Sequence, residues 1–410
     1  MGLRVGVVTE AYVPSGGGGW TFSATLIEAL RTVQSPHAFI NLIHALQREE
    51  SKDDARHTQE PSGLGLFRAV ADKASTFVQK RFRRGGLGSA DKTDRKQSPI
   101  SSLEALARRE KIDIVWFMTS MNEPLLLPFI ATVWDLEQRN QPYFPEVSVT
   151  WTEREKVYSA LLPRASLIIT GTQAGKEQVV HYYRVNPANV MVIPFPVPAD
   201  ALMTQSLDAQ GIRTKYKING DFLFYPAQFW PHKNHVNLLR ALRTLRDQNG
   251  LDLKLVFTGS EKGNFGHVEE VTADLNLVDQ VFNLGFVSRE DLNSLYKAST
   301  ALVFPSYFGP DNLPPLEAFA LGTPVIAANV AGAREQLGQA ALLFDPSDPS
   351  DIAAKIEHLC RTPSLRAEMI SKGKAIVAVC TPEAYIAALC SFLDRFEAIR
   401  RCWGVDYQLG

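Results

Sequence analysis

The feature that most constrains this chain is an alternation of short apolar runs with amphipathic helical patterns, which stops at a proline-rich break and then starts again. Residues 4–9 read as a buried strand and 14–19 as a glycine loop. Residues 20–32 read as a helix, with Phe22, Leu26, Ile27 and Leu30 at helical spacing. Strand-like runs follow at 38–43, 112–118, 129–134, 167–170 and 190–193, with helices expected over 153–162 and 174–183. Such alternation implies a parallel sheet covered on both faces. The break is Pro194-Phe195-Pro196-Val197-Pro198, where each proline fixes its own φ and turns the residue before it away from helix. Beyond it, strands are expected at 222–227, 253–259, 281–284, 301–305 and 324–328, and helices over 235–247, 289–298 and 316–321. After residue 349 the pattern is helical only. The expected fold class is α/β, with Rossmann-like domains at 1–195 and 199–381 and a helical segment at 382–410.

A chain of 410 residues is longer than one hydrophobic core usually spans, which agrees with two domains. Lys plus Arg (43) nearly cancels Asp plus Glu (44), so the net charge gives no reason to expect nucleic acid. Cys360, Cys380, Cys390 and Cys402 show neither CxxC spacing nor a disulfide framework, which suits a reducing cytosol. The opening Met-Gly-Leu-Arg-Val-Gly runs straight into a strand, so neither a signal peptide nor a myristoylation signal is expected. The apolar stretch 124–134 is too short to span a bilayer and is broken by Pro124 and Pro128. The expected location is the cytoplasm, with any membrane contact peripheral. Residues 80–98 carry Lys80, Arg81, Arg83, Arg84, Lys92, Arg95 and Lys96 against only Asp91 and Asp94. They read as a surface loop suited to an anionic membrane surface.

Ligands of open α/β sheets bind beyond the carboxyl ends of strands, so chemistry should sit in the loops there. Gly16, Gly17, Gly18 and Gly19 lead into the first helix. Glycine lets N–H groups approach a phosphate or sugar, and the helix N-terminus adds partial positive charge. The run lacks the last glycine of GxGxxG, which argues against a dinucleotide site. Gly171-Thr172-Gln173-Ala174-Gly175-Lys176-Glu177 is one residue short of a P-loop, with Glu177 where the magnesium-binding hydroxyl would stand. Lys233, at the start of the helix after 222–227, is placed to meet a diphosphate. His232 and His235 have no carboxylate or cysteine beside them and read as a helix-start pair, not metal ligands. The loop Gly309-Pro310-Asp311-Asn312-Leu313 then leads into a helix with Glu317 in its expected first turn. A carboxylate there serves the helix dipole, or accepts two hydroxyl hydrogen bonds as a ribose diol offers.

Taken in order, these segments resemble the family-4 (group 1) retaining glycosyltransferases, whose fold is GT-B; the likeness is strongest over 222–346. The resemblance implies that Gly16 to Gly19 lie against the phosphates and sugar of a nucleotide-sugar donor. Thr132-Val133-Trp134-Asp135-Leu136 resembles the family's Thr-Val-His-Asp-Leu near the donor sugar, with Trp134 where histidine is usual, so Asp135 alone carries over. Lys233 matches the diphosphate lysine, while Gln228 stands at the position of the family's arginine. Glu317 matches the second of the family's paired glutamates, the ribose ligand, and Gly309 stands at the first. Sugar contacts would then fall to the loop backbone and to Asp311 or Asn312.

The resemblance further implies a C-terminal helix crossing back to the first domain. It implies transfer of a sugar, with retention, from a nucleotide-sugar donor to a glycan or lipid-linked acceptor, as in bacterial surface-polysaccharide synthesis. No cofactor is expected, and no DxD or His/Cys metal site stands in the sequence. A sugar-nucleotide epimerase or phosphorylase on the same architecture is the rival enzyme class. A non-catalytic nucleotide-sugar-binding subunit is the reading favoured by Gln228 and Gly309.

Overall fold

The computed structural model describes residues 2–9, 18–42, 102–119, 125–198, 201 and 207–404. Gly16, Gly17 and the basic stretch 80–98 lie outside the described residues. The strands are β1 (Arg4–Val8), β2 (Ala38–Asn41), β3 (Ile114–Phe117), β4 (Phe129–Thr132), β5 (Leu167–Thr170), β6 (Val190–Val192), β7 (Phe222–Pro226), β8 (Lys254–Thr258), β9 (Val281–Asn283), β10 (Ala301–Phe304), β11 (Val325–Ala328) and β12 (Ala341–Phe344). They form two six-stranded sheets, in the orders β2-β1-β3-β4-β5-β6 and β12-β11-β10-β7-β8-β9. Every pairing is parallel. Residues of β3, β4, β5, β10 and β11 are buried without exception, as strands covered by helices on both faces must be.

Strand order decides where a ligand can sit. In each sheet the first strand lies inside the order, with connections leaving it in both directions. A crevice opens at that reversal, between β1 and β3 in one sheet and between β7 and β10 in the other. The loops after β7 and β10 are those that carry Lys233 and Gly309.

The Pro382–Arg400 helix packs on the first sheet. Its Tyr385, Ile386, Leu389 and Leu393 share one helical stripe and are buried with Val5, Val7, Phe22, Leu26 and Trp116. Tyr385 stacks on Trp116 at 6.2 Å and meets Phe22 edge-on at 5.7 Å. Each such side chain contributes roughly 1.5–3 kcal/mol on burial. The buried Arg400 donates to the Asp113 carbonyl at 3.0 Å. The two chain crossings between domains are themselves joined, Val197 N–H donating to the Cys380 carbonyl at 2.9 Å. By length and composition, 363–400 is apolar enough to cross a membrane. It consists of two helices, Pro363–Val377 and Pro382–Arg400, and the second spends its apolar stripe on the first sheet.

Two expectations need correction. Gly18 and Gly19 are not loop residues: the first helix is Gly18–Thr32. Glu317 is not in a first turn, because its helix is Leu313–Ala320, with Pro314 and Pro315 in the opening turn, where the missing proline N–H groups cost nothing. Among the elements that went unanticipated are the helices Ser102–Arg109, Ala209–Tyr216 and Phe265–Asp274 and the edge strand β12.

Candidate active site

The loop after β7 is held from beneath. Phe229 N–H donates to the Ser260 carbonyl at 3.1 Å, and the Tyr225 hydroxyl donates to the Lys233 carbonyl at 2.8 Å. Residues Pro231–Lys233 form one 3-10 turn, closed by Asn234 at φ +59°. Asparagine tolerates that left-handed geometry. Its side-chain amide donates to the carbonyls of Pro305 (3.0 Å) and Pro346 (2.8 Å), tying this loop to those after β10 and β12. Lys233 Nζ stands 5.4 Å from the Phe304 ring centroid. Burial pushes its pKa down to about 8, against the charges of Asp135 and Glu146. Gln228 accepts from the Trp230 indole N–H at 3.0 Å.

The facing wall comes from the first sheet and the Pro145–Leu161 helix. Val147, Thr150 and Arg154 recur on one helical stripe and line the cleft with Glu146. Asp135 accepts from Arg154 Nη2 at 2.7 Å and from the Glu137 N–H at 3.1 Å. Burial works to raise Asp135, but the Arg154 charge and these hydrogen bonds hold it below the usual carboxylate range. Nearby Glu137 is pushed up to about 7 by burial and by the Asp135 charge. Glu146 Oε1 lies 2.5 Å from His232 Nδ1. His235 is buried and stacks on Phe229 at 4.6 Å. The two histidines thus serve different neighbours, and the carboxylate that His232 lacked in sequence arrives from the other domain.

In the loop after β10, Gly309 has φ +115°, and a Cβ there would sit 2.5 Å from Asn312 Oδ1, so glycine is required. Asn312 Nδ2 donates back to the Gly309 carbonyl at 2.6 Å. Pro310 is buried behind the loop, its carbonyl against Gly332. The Asp311 carboxylate lies against Gly171 of the first domain, and burial with the Glu335 charge raises its pKa to about 8. Glu317 is 6% exposed; Arg289 Nη1 donates to its Oε1 at 2.9 Å and the Tyr296 hydroxyl to its Oε2 at 3.0 Å.

These pieces enclose one cleft of about 570 Å³ between the sheets. Of the residues expected from sequence, Gly18, Gly19, Asp135, Gln228, Lys233, Gly309, Asp311, Asn312 and Leu313 line it. Pro310 and Glu317 are not in its lining. Sequence reasoning missed Glu146, Arg154, His232 and Phe308 as cleft residues. The signal for the first two was the helical spacing of Glu146, Val147, Thr150 and Arg154, lost because that helix was expected to begin at 153. The lining combines charged side chains (Lys233, Arg154, Asp135, Glu146) with an apolar cluster (Phe22, Trp134, Phe195, Leu313). A ligand with both a phosphate and a less polar ring suits that combination. Among the described residues, no group of three or more His, Cys, Asp or Glu is placed to hold a metal ion.

Gly19 gives the apolar cluster a direct test. A Cβ at Gly19 would lie 2.3 Å from Trp134 Cη2, whose indole meets Phe22 edge-on at 6.0 Å. Overpacking costs about 1–3 kcal/mol, while alanine returns at most ~1 kcal/mol of helix propensity. Gly19→Ala is therefore expected to lower stability by about 1 kcal/mol and to change the indole fluorescence. An unchanged melting temperature and spectrum would mean that Trp134 does not pack as described.

Residues 209–376 match the family model for glycosyl transferases group 1. The chain is 25% identical over 234 residues to O-antigen chain mannosyltransferase B of Escherichia coli, a match covering 57% of this chain and 61% of that protein. Among solved structures it is similar to sucrose-phosphate synthase of Thermosynechococcus elongatus (TM-score 0.68, 18% identity, 97% of this chain and 100% of that one). It is also similar to Anabaena HepE in complex with UDP and glucose (TM-score 0.66, 16% identity, 96% and 100%). Two parallel six-stranded sheets with helices, facing across a cleft and matched over nearly their whole length by these enzymes, are the GT-B fold. Within that fold, the 209–376 segment is similar to the group 1 glycosyl transferases.

Proposed function

We propose that this protein transfers a sugar, with retention of configuration, from a nucleoside diphosphate-sugar to a glycan or lipid-linked acceptor in surface-polysaccharide assembly. The observation that carries the reading is the placement of Lys233. It lies beyond the carboxyl end of β7, at the crevice beside β10, in a cleft whose far wall is the glycine start of the first helix. The mannosyltransferase relative and the UDP and glucose in the HepE complex support the class of acceptor and donor.

In this reading Lys233 takes the donor diphosphate. Stabilising charge that develops on the leaving phosphate is commonly a large catalytic term, and Lys233 is already desolvated for it. Gln228 adds only a neutral amide, so the other cation in the cleft lining, Arg154, is the second source of positive field, held by Asp135. The sugar lies towards Trp134, Gly19 and the Gly309–Asn312 loop, and the acceptor enters along the Val147, Thr150 and Arg154 stripe. With the negative charge met by these side chains, turnover is expected to be unchanged by EDTA. A loss of rate that added magnesium restores would show that the phosphates need an ion.

The deciding experiment incubates the protein with a panel of nucleotide-sugars and oligosaccharide acceptors, measuring nucleoside diphosphate release and the anomeric configuration of the product by NMR. Acceptor-dependent release with the donor's configuration is expected. An inverted product would remove retention, sugar interconversion without acceptor would favour an epimerase, and donor binding without turnover would favour the binding-subunit reading.

A further inference from the structure

Glu146 reaches across the cleft from the first turn of the Pro145–Leu161 helix. Its Oε1 accepts from both the main-chain N–H of His232 (3.1 Å) and the imidazole Nδ1–H (2.5 Å). His232 is the middle residue of the 3-10 turn that ends in Lys233. The residues just before Glu146 dock on the same place. Phe144 lies 6.2 Å from the His232 ring, 5.6 Å from Tyr307 and 5.7 Å from Phe308, while Gln141 donates to the Tyr307 carbonyl at 2.9 Å. The Tyr307 N–H in turn donates to the His232 carbonyl at 2.9 Å, and Phe308 stacks on the imidazole at 3.9 Å. One short segment of the first domain therefore grips both loops of the second that border the cleft.

The chemistry of the grip is directional. Burial would raise Glu146, but the hydrogen bonds from His232 hold its carboxyl below the usual range, so it is an ionised acceptor. Burial holds His232 neutral, with a pKa down to about 4 despite the carboxylate. A neutral imidazole facing an ionised acceptor carries its hydrogen on Nδ1 and leaves Nε2 unprotonated.

Resting on the transfer reading above, we propose that Glu146 is a positioning residue for the donor site: by clasping His232 from across the cleft it sets the turn that aims Lys233 at the diphosphate.

The test is a double-mutant cycle on the full chain, with UDP binding by calorimetry and kcat/KM for transfer as readouts. Glu146→Ala should weaken both by roughly tenfold in the wild-type background and by less than about twofold in the Lys233→Ala background, because residues that act through one another are not additive. Glu146→Gln keeps an acceptor oxygen and should recover most of the loss. Selective 15N-histidine NMR should show His232 as the Nδ1–H tautomer in the wild type and not in Glu146→Ala. Equal losses in the two backgrounds would overturn the proposal, since Glu146 would then act independently of Lys233. Wild-type affinity and rate in Glu146→Ala would overturn it as well. If no donor is turned over by the wild type, the transfer reading fails by itself, and the UDP cycle and the tautomer still decide the clasp.

Discussion

Lys233→Ala is expected to lower acceptor-dependent nucleoside diphosphate release by roughly 10- to 150-fold, the rate equivalent of a charge-assisted contact of about 1.5–3 kcal/mol formed fully in the transition state. With Gln228 in place of a second fixed cation on this loop, no neighbour in the same turn can take over the charge. Stability should move the other way. In the folded chain Lys233 titrates near 8 and in the unfolded chain near 10.5, so between those values the unfolded state binds more protons and stability rises with pH. Below about pH 8 the whole cost of keeping a buried ammonium charged is present. Lys233→Met, which keeps most of the stem over Phe304, removes that cost and should melt no lower than the wild type at pH 7. Wild-type activity should also fall as pH rises through about 8 in the unliganded enzyme, seen in kcat/KM. Full activity in Lys233→Ala would place the phosphate site elsewhere and take the donor out of this cleft.

Glu317 is expected to separate two roles by two substitutions. Its carboxylate accepts from Arg289 and Tyr296, both oxygens being engaged inside the second domain. Breaking a buried ion pair costs about 3–5 kcal/mol. Arg289 is 24% exposed at its side chain, so solvent takes back part of that, and about 2–3 kcal/mol is expected for Glu317→Ala. At roughly 2–4 °C per kcal/mol for a domain of this size, the melting temperature should fall by about 4–12 °C. Glu317→Gln keeps the shape and one acceptor, so its stability loss should be smaller. If Glu317 also holds the ribose, Glu317→Gln should weaken nucleoside diphosphate binding by about 1–3 kcal/mol, measured calorimetrically at a temperature where the variant is folded. Equal affinity for the nucleotide in variant and wild type would leave Glu317 a purely internal partner of Arg289 and Tyr296.

Much of the fold was legible because burial writes itself into apolar runs. A parallel strand covered on both faces must be apolar throughout, and β5 was delimited to the residue from Leu167–Thr170 alone. The helices His235–Asp247 and Arg289–Ala298 were equally plain, since each turns one continuous stripe to the core. The edge strand β12 was not, because its residues are mostly half-buried and lack the continuous apolar demand of a central strand. The Leu313–Ala320 helix was placed three residues late, although Pro314 and Pro315 belong to its opening turn.

For the site, the division falls between what one loop carries and what two domains make together. Gly309, Asn312 and Lys233 could be singled out in the sequence, because a strand followed by a turn and a helix start is a local arrangement whose residues lie within a dozen positions of one another. The chemical setting of those residues could not be. His232 had no carboxylate nearby in the chain, and Glu146, 86 residues before it, supplies one only when the second sheet faces the first. The depressed pKa of Lys233 and the raised pKa of Asp311 share their first cause, desolvation, which exists only once the cleft is formed; the fields of Asp135 and Glu146 oppose it at Lys233, and that of Glu335 adds to it at Asp311. The sequence by itself determined the two parallel sheets and the loops that border the crevice, because backbone pattern and burial are local demands. Tertiary structure alone decided which charges face one another across it, because electrostatic partners are chosen by distance in space and not along the chain.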